Sequence, residues 1–349
     1  MKKDFMEYID IMNTLGVHQM ILQGPPGTSK TYNAKKIIEE GISVLNNIKE
    51  EIKEEKTGKK TGVLEKYQIN SKGEGYWDMV QLHPSYGYED FVRGITIKTK
   101  DEQIQYETIN KIFGKMCKIA GKDKDKKYFL LIDEINRADV ATVFGELIYA
   151  LEYRNESIET PYEVEQSSKI TVPDNLYIIG TMNTADKSVG NIDYAIRRRF
   201  IFFDLLPDEN VIENDDAKAV FLGVNEFIKT SINTQYRAND FLIGHTYFLL
   251  PENLEENNSE DDNLKELIKY RMEYQVLPIL REYYIDGIIR LSNDAPDNYL
   301  NKYLTGEVEL SDEVNDEKEK VDKIINTFKS LGEKNNGNAT EDESGENND

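Results

Sequence analysis

The sequence predicts an α/β fold: a five-stranded, largely parallel sheet flanked by helices, followed by a smaller, mainly helical unit. Three observations predict it. Between His18 and Phe203 short apolar runs alternate with helical stretches, a glycine-rich loop joins the first run to a helix, and from Pro207 onward the runs give way to helical segments with acidic loops. Short hydrophobic strands alternating with helices are the pattern of a parallel sheet covered on both faces.

The predicted strands are QMILQ (19–23), DMVQLH (78–83), YFLLID (128–133), NLYIIGT (175–181) and FIFFDL (200–205). The run KTYNAKKIIEEGISVL predicts a helix starting at Lys30, and the mixed-charge stretch 49–62 reads as its solvated end and a loop. Val140, Val143, Phe144, Leu147, Ile148 and Leu151 recur at helical spacing and predict one apolar face turned to the core. Past Pro207, LKELIKYRMEYQVLPILREYY (264–284) is helix-like, and residues 332–349, without a large apolar side chain, read as a disordered acidic tail. The expected division is a nucleotide-binding subdomain at 1–206, a helical lid at 207–305, and a C-terminal helix with the tail at 306–349. No internal repeat is visible.

Composition excludes several classes. With 43 Lys and Arg against 65 Asp and Glu the net charge is −22, which argues against binding nucleic acid through bulk charge, since phosphate binding sets cations against a polyanion. The 21 Tyr and 13 Phe within a 39% hydrophobic chain supply a core and exclude disorder throughout. One cysteine, Cys117, excludes an intrachain disulfide and a multi-cysteine zinc site. Neither a membrane-span run nor a signal-peptide core is present, so the expected setting is the cytoplasm.

The chemistry is carried by three places. The loop Gly24-Pro25-Pro26-Gly27-Thr28-Ser29-Lys30-Thr31 between strand and helix has the context of a Walker A phosphate loop. There backbone N–H groups cradle phosphate, Lys30 reaches the β/γ-phosphates and the Thr31 hydroxyl ligates Mg2+. Ser29 stands where the pattern GxxxxGK[ST] has its second glycine. At the end of YFLLID, Asp133 is placed to hold Mg2+ and Glu134 to act as general base on the water attacking the γ-phosphate. The next strand ends in Thr181-Met182-Asn183-Thr184-Ala185-Asp186, and Asn183 beside the acid pair is suited to bind that water. Arg197, Arg198 and Arg199 precede the last strand and read either as arginine fingers toward a neighbouring subunit's nucleotide or as ion pairs with nearby acids. His18 reads as structural, Met20 and Cys117 as core, and His83 and His245, far apart and without metal-ligand spacing, are given no catalytic role.

These segments together resemble the AAA+ ATPase superfamily and, more closely, its McrB branch, the GTP-hydrolysing motor subunits of modification-dependent restriction systems. The resemblance runs from about Asn13 to Tyr284 and rests on GPPGTSKT, VQLHPSYGYEDFVRGI (80–95), FLLIDEINRADVATVFGELIYALE (129–152), GTMNTADKSVGNIDYAIRRRF (180–200) and IGHTYFLL (243–250). It implies an AAA+ P-loop NTPase fold, with Lys30 and Thr31 as Walker A residues, Asp133 and Glu134 as Walker B, and Asn183 as sensor 1. It further implies Asp186 and Lys187 as the rest of the McrB signature, and Arg198 and Arg199 as trans-acting fingers. Lys187 stands where such proteins usually have Arg, which keeps the charge and loses the bidentate geometry.

The resemblance also implies a homo-oligomeric ring, hexameric in the family, an McrC-like nuclease partner that stimulates hydrolysis, and DNA contacted only through the complex. With 23 residues before Gly24, the expectation is a motor module without the family's N-terminal DNA reader. GTP is favoured over ATP on the resemblance alone, because the guanine motif NKxD is absent at both Asn110-Lys111 and Asn301-Lys302. Two other readings stand beside it: a MoxR-like ATPase that remodels proteins, and a nucleotide-dependent scaffold whose loop is impaired at Ser29.

Overall fold

The computed structural model describes residues 4–48, 53–54, 60–61, 63–70, 72–100, 103–186, 192–249, 260–291, 298–310 and 317–342. The chain divides into two compact units, Met1–Gln23 with Lys30–Asp204 and Gly24–Ser29 with Leu205–Asp349. The hexapeptide of the phosphate loop thus groups with the C-terminal unit, and residues 306–349 form no unit of their own.

In the first unit the elements run α1 (Phe5–Leu15), β1 (Gln19–Gly24), α2 (Lys30–Leu45), β2 (Trp77–Gln81), a hairpin β3 (Arg93–Lys100) and β4 (Gln103–Asn110), α3 (Ile112–Lys122) and β5 (Tyr128–Asp133). There follow α4 (Val140–Phe144), α5 (Leu147–Glu152), a second hairpin β6 (Ser157–Val164) and β7 (Ser167–Thr171), β8 (Leu176–Asn183), α6 (Tyr194–Arg197) and β9 (Ile201–Asp204). The main sheet has the order β9-β1-β8-β5-β2, with β1 parallel to β9 and β5 parallel to both β8 and β2. All five strands expected from the apolar runs form this sheet.

Alternation along β5 explains the two layers. Tyr128, Leu130 and Ile132 join a core cluster with Phe91, Phe113, Phe144 and Phe200, while Phe129 stacks on Tyr177 and, with Ile9 of α1, closes over Gly41 of α2. In the cluster Phe91 lies 5.1 Å from Phe113 and 5.0 Å from Phe144, and each fully buried ring contributes about 1.5–3 kcal/mol over an exposed one. Cys117 belongs to this core, and burial pushes its thiol up to about 12.

The expected helix from Val140 to Leu151 is broken in two. Gly145 adopts φ 51°, a left-handed value open to glycine, and a Cβ there would stand 3.1 Å from Tyr88. The apolar face survives the break, with Val140, Val143, Phe144, Leu147 and Leu151 buried. Both hairpins went unread in the sequence. Arg93, itself 5% exposed, joins them: its guanidinium donates to Asn110 Oδ1 at 3.0 Å, Thr160 Oγ1 at 2.8 Å and the Lys169 carbonyl at 2.8 Å.

The second unit holds α7 (Asp215–Ser231), α8 (Glu260–Arg271), α9 (Leu277–Ile285), α10 (Tyr299–Thr305) and α11 (Glu317–Asp342). A π-helical turn at Met272–Val276 links α8 to α9, just before Pro278. Proline lacks the N–H and clashes with the carbonyl four residues back, and the widened turn absorbs both effects. Phe227 of α7 meets Phe328 of α11 edge-on at 6.0 Å. Helix α11 includes residues 332–342, the first part of the segment that composition reads as a disordered tail; residues 343–349 lie outside the described residues. Among the described residues no helix is long and apolar enough to cross a membrane.

Candidate functional site

In the first unit Asp133 closes β5 and Asn183 closes the adjacent β8, with Gly180 and Ile132 in register. Parallel pairing brings both C-terminal ends to one edge of the sheet, where ligands of open α/β sheets bind. The Thr181 hydroxyl donates to Asp133 Oδ1 at 2.5 Å, and the Thr31 hydroxyl donates to the same oxygen at 2.8 Å. Thr181 Oγ1 also accepts the Glu134 N–H at 3.2 Å, so one hydroxyl ties the two acids.

Glu134 is held in the left-handed region, φ 53° and ψ 47°, where a residue with a Cβ is strained by about 1–3 kcal/mol. This conformation turns the chain from β5 into the short 3-10 turn Ile135–Arg137. Asn183 Nδ2 donates to Glu134 Oε1 at 2.6 Å, and Arg137 Nε approaches Oε2 at 3.4 Å. Arg137 also faces Asp186 at 3.5 Å, so Asp186 reaches the acid pair through an arginine. Lys30 opens α2 and is 8% exposed. Burial lowers its ammonium to about 8, against the opposing pull of Glu134 and then Asp133.

The structure therefore brings together Lys30, Thr31, Asp133, Glu134, Asn183 and Asp186, while Lys187 lies outside the described residues. The arginines separate. Arg199 has a 9% exposed side chain, pairs with Glu152 at 2.8 Å and donates to the Ala195 carbonyl at 2.6 Å. Arg198 is 64% exposed and stands 3.5 Å from the same carboxylate, and Arg197 lies over the Phe202 ring at 4.7 Å. Sequence reasoning missed Thr181 and Arg137, although both lie inside the quoted motifs; a hydroxyl near the end of the strand next to Asp133 was the available signal.

In the second unit the loop Gly24–Ser29 packs on the segment 242–248. Gly244 N–H donates to the Pro26 carbonyl at 2.9 Å and Thr246 N–H to the Gly27 carbonyl at 3.0 Å. Approach is so close that a Cβ at Gly244 would fall 2.0 Å from the Gly27 carbonyl carbon. Thr28 closes the loop on itself by donating to the Pro25 carbonyl at 3.0 Å. Ser29 adopts φ 60°, and its hydroxyl lies 2.9 Å from His245 Nε2.

Thr31 and Asp133 offer a hydroxyl and a carboxylate, the hard oxygen set that suits Mg2+ when phosphate and water complete its shell. Among the described residues no group of three or more His, Cys, Asp and Glu side chains is gathered as a metal cluster.

Residues 57–200 match the AAA domain (dynein-related subfamily) and residues 216–292 match the McrB alpha-helical lid domain. The phosphate loop precedes the first matched segment, so its reading rests on the strand–loop–helix context. The chain is 33% identical over 284 residues to the type IV methyl-directed restriction enzyme EcoKMcrB subunit of Escherichia coli K12, covering 76% of this chain and 54% of that protein. It is 32% identical over 116 residues to the type II restriction enzyme BsuMI component YdiS of Bacillus subtilis, covering 29% of this chain and 34% of that one. The chain thus spans about half the length, or less, of the curated relatives it matches. Among solved structures, C. elegans PCH-2 is 14% identical over 95% of this chain and 68% of that chain with a TM-score of 0.33, from which nothing is inferred. The sheet order, the strand-end acids and the matched lid together make this chain an McrB-like AAA+ module.

Proposed function

We propose that this chain is a Mg2+-dependent nucleoside triphosphatase, using GTP in preference to ATP, and the motor of an McrBC-like restriction complex. In this reading it couples hydrolysis to a partner nuclease acting on modified DNA. One observation carries it: Asp133 accepts from Thr31 at the start of α2 while its neighbour Glu134 accepts from Asn183, a pairing of carboxylates suited to metal and water respectively.

The chemistry follows from these positions. Gly24, Pro25, Pro26, Gly27, Thr28 and Ser29 supply the loop around the triphosphate, and Lys30 sets its charge against the β- and γ-phosphates. Glu134 takes the proton of the attacking water as its oxygen bonds to the γ-phosphorus. The bond from that phosphorus to the β–γ bridging oxygen breaks, and the diphosphate leaves. Asn183 orients the water, and its bond to Glu134 Oε1 keeps the base aimed. Thr31 and Asp133 would hold Mg2+, which when bound neutralises phosphate charge. Asp186 steadies the base through Arg137, and Lys187 supplies the remaining charge of the McrB-like signature sequence.

Arg198 and Arg199 serve the nucleotide of a neighbouring copy in a homo-oligomeric, hexameric ring, with Arg198 the more accessible. The E. coli relative, a methyl-directed restriction enzyme subunit, supports modified DNA as the target of the complex and an McrC-like protein as the partner. A net charge of −22 supports DNA contact through that complex rather than through this chain, and a cytoplasmic setting accords with it.

Steady-state phosphate release with GTP and ATP in parallel, in Mg2+ and in EDTA, with and without the McrC-like protein, tests the reading. Turnover confined to GTP and Mg2+ and raised by the partner is expected. Turnover with ATP alone overturns the nucleotide assignment, and none under any condition overturns the enzyme.

A further inference from the structure

The conformation of Ser29 needs a cause. A residue with a Cβ at φ 60° is disfavoured, and the phosphate-loop pattern places glycine there for that reason. The substitution has not moved the chain out of the left-handed region.

The Ser29 hydroxyl is held by His245. Its Nδ1 accepts the Asp208 N–H at 3.2 Å, so in the neutral ring the proton sits on Nε2, which donates to Ser29 Oγ at 2.9 Å. His245 is 7% exposed, and the segment carrying it is fixed independently. Asn225 Nδ2 donates to the Ile243 carbonyl at 3.1 Å while its Oδ1 accepts the Ile243 N–H at 2.8 Å. The two backbone bonds from Gly244 and Thr246 to the loop complete the strap. All of these groups belong to the second unit.

We infer that His245 is a positioning residue: it holds Ser29 in the left-handed conformation that glycine adopts unaided, and so sets the phosphate loop for nucleotide. The inference rests on the proposed nucleotide-binding role of the loop and adds a dependence that role does not contain. His245 matters because residue 29 is serine, so the two positions act as one unit.

A double-mutant cycle tests it, with fluorescent GTP and ATP analogues for affinity and urea unfolding as a readout that needs no nucleotide. His245→Ala is expected to weaken nucleotide binding about tenfold, the scale of one lost hydrogen bond to a strained residue. In the Ser29→Gly background the same change is expected to cost less than about twofold, because glycine needs no clamp. Ser29→Ala keeps the Cβ, leaves His245 in place and should bind about tenfold more weakly than Ser29→Gly. The urea midpoint should follow the same cycle, falling at least twice as far for His245→Ala with serine present as with Ser29→Gly.

Equal losses from His245→Ala in both backgrounds, in affinity and in midpoint, would make His245 a packing residue and overturn the inference. If no variant binds GTP or ATP, the nucleotide reading fails, and the midpoint cycle alone decides whether the clamp exists.

Discussion

The first unit gathers its polar groups from neighbouring strand ends, and the second gathers its loop from a distant segment. Glu134 meets Asn183 across 49 residues, and Asp133 meets Thr181 across 48, through the parallel pairing of β5 with β8. Ser29 meets His245 across 216 residues, through a short strap with no periodic pattern of its own. Where sheet register places side chains, apolar runs in the sequence already locate them. Where irregular backbone places them, only the folded chain does.

Four changes break or sharpen that contrast. Lys30 is the buried cation facing both strand-end acids, and hydrogen bonds to charged groups are worth about 1.5–3 kcal/mol. Lys30→Ala should therefore weaken nucleotide binding by about a hundredfold in an equilibrium titration; unchanged affinity would detach the phosphates from α2. Asn183→Ala removes the donor to Glu134 Oε1 and should slow phosphate release by about tenfold to a hundredfold. Nucleotide affinity should move little, and a loss confined to affinity would refute the water-orienting role.

The arginines give the next contrast. Arg199→Ala removes a largely buried guanidinium, its ion pair with the 40% exposed Glu152 carboxylate and its bond to the Ala195 carbonyl, and should lower unfolding free energy by about 1–3 kcal/mol. Arg198→Ala removes an exposed side chain, so stability should stay within about 0.5 kcal/mol while turnover of the assembled protein falls. Equal destabilisation by the two would remove the contrast between the buried and the exposed guanidinium.

The same contrast marks how much was legible beforehand. The five strands, the helix starting at Lys30 and the apolar face from Val140 to Leu151 were all readable, because hydrophobic periodicity reports burial directly. So were Asp133, Glu134 and Asn183 as neighbours at strand ends. The break at Gly145 was not, since it answers to Tyr88 packing against a glycine rather than to any period. The first hairpin escaped because ITIKTK and QIQYET leave Ile95, Ile97, Ile104 and Tyr106 exposed, so no buried apolar run announces it. Thr181 and Arg137 sat within legible motifs, but their bonds to the acids depend on register and on the turn at Glu134. His245 was dismissed for want of a metal-ligand spacing, when the informative residue was Ser29 in a glycine's place.

In the proposed mechanism Glu134 accepts the proton of the attacking water while the phosphate loop binds nucleotide independently of it. Glu134→Gln tests this most directly, with affinity by titration and turnover by phosphate release on one preparation in Mg2+. General-base loss is worth about 10²–10⁴ in rate, so turnover should fall by at least a hundredfold while nucleotide affinity stays within about threefold of the parent. Hydrolysis by Glu134→Gln at the parent rate would contradict the account.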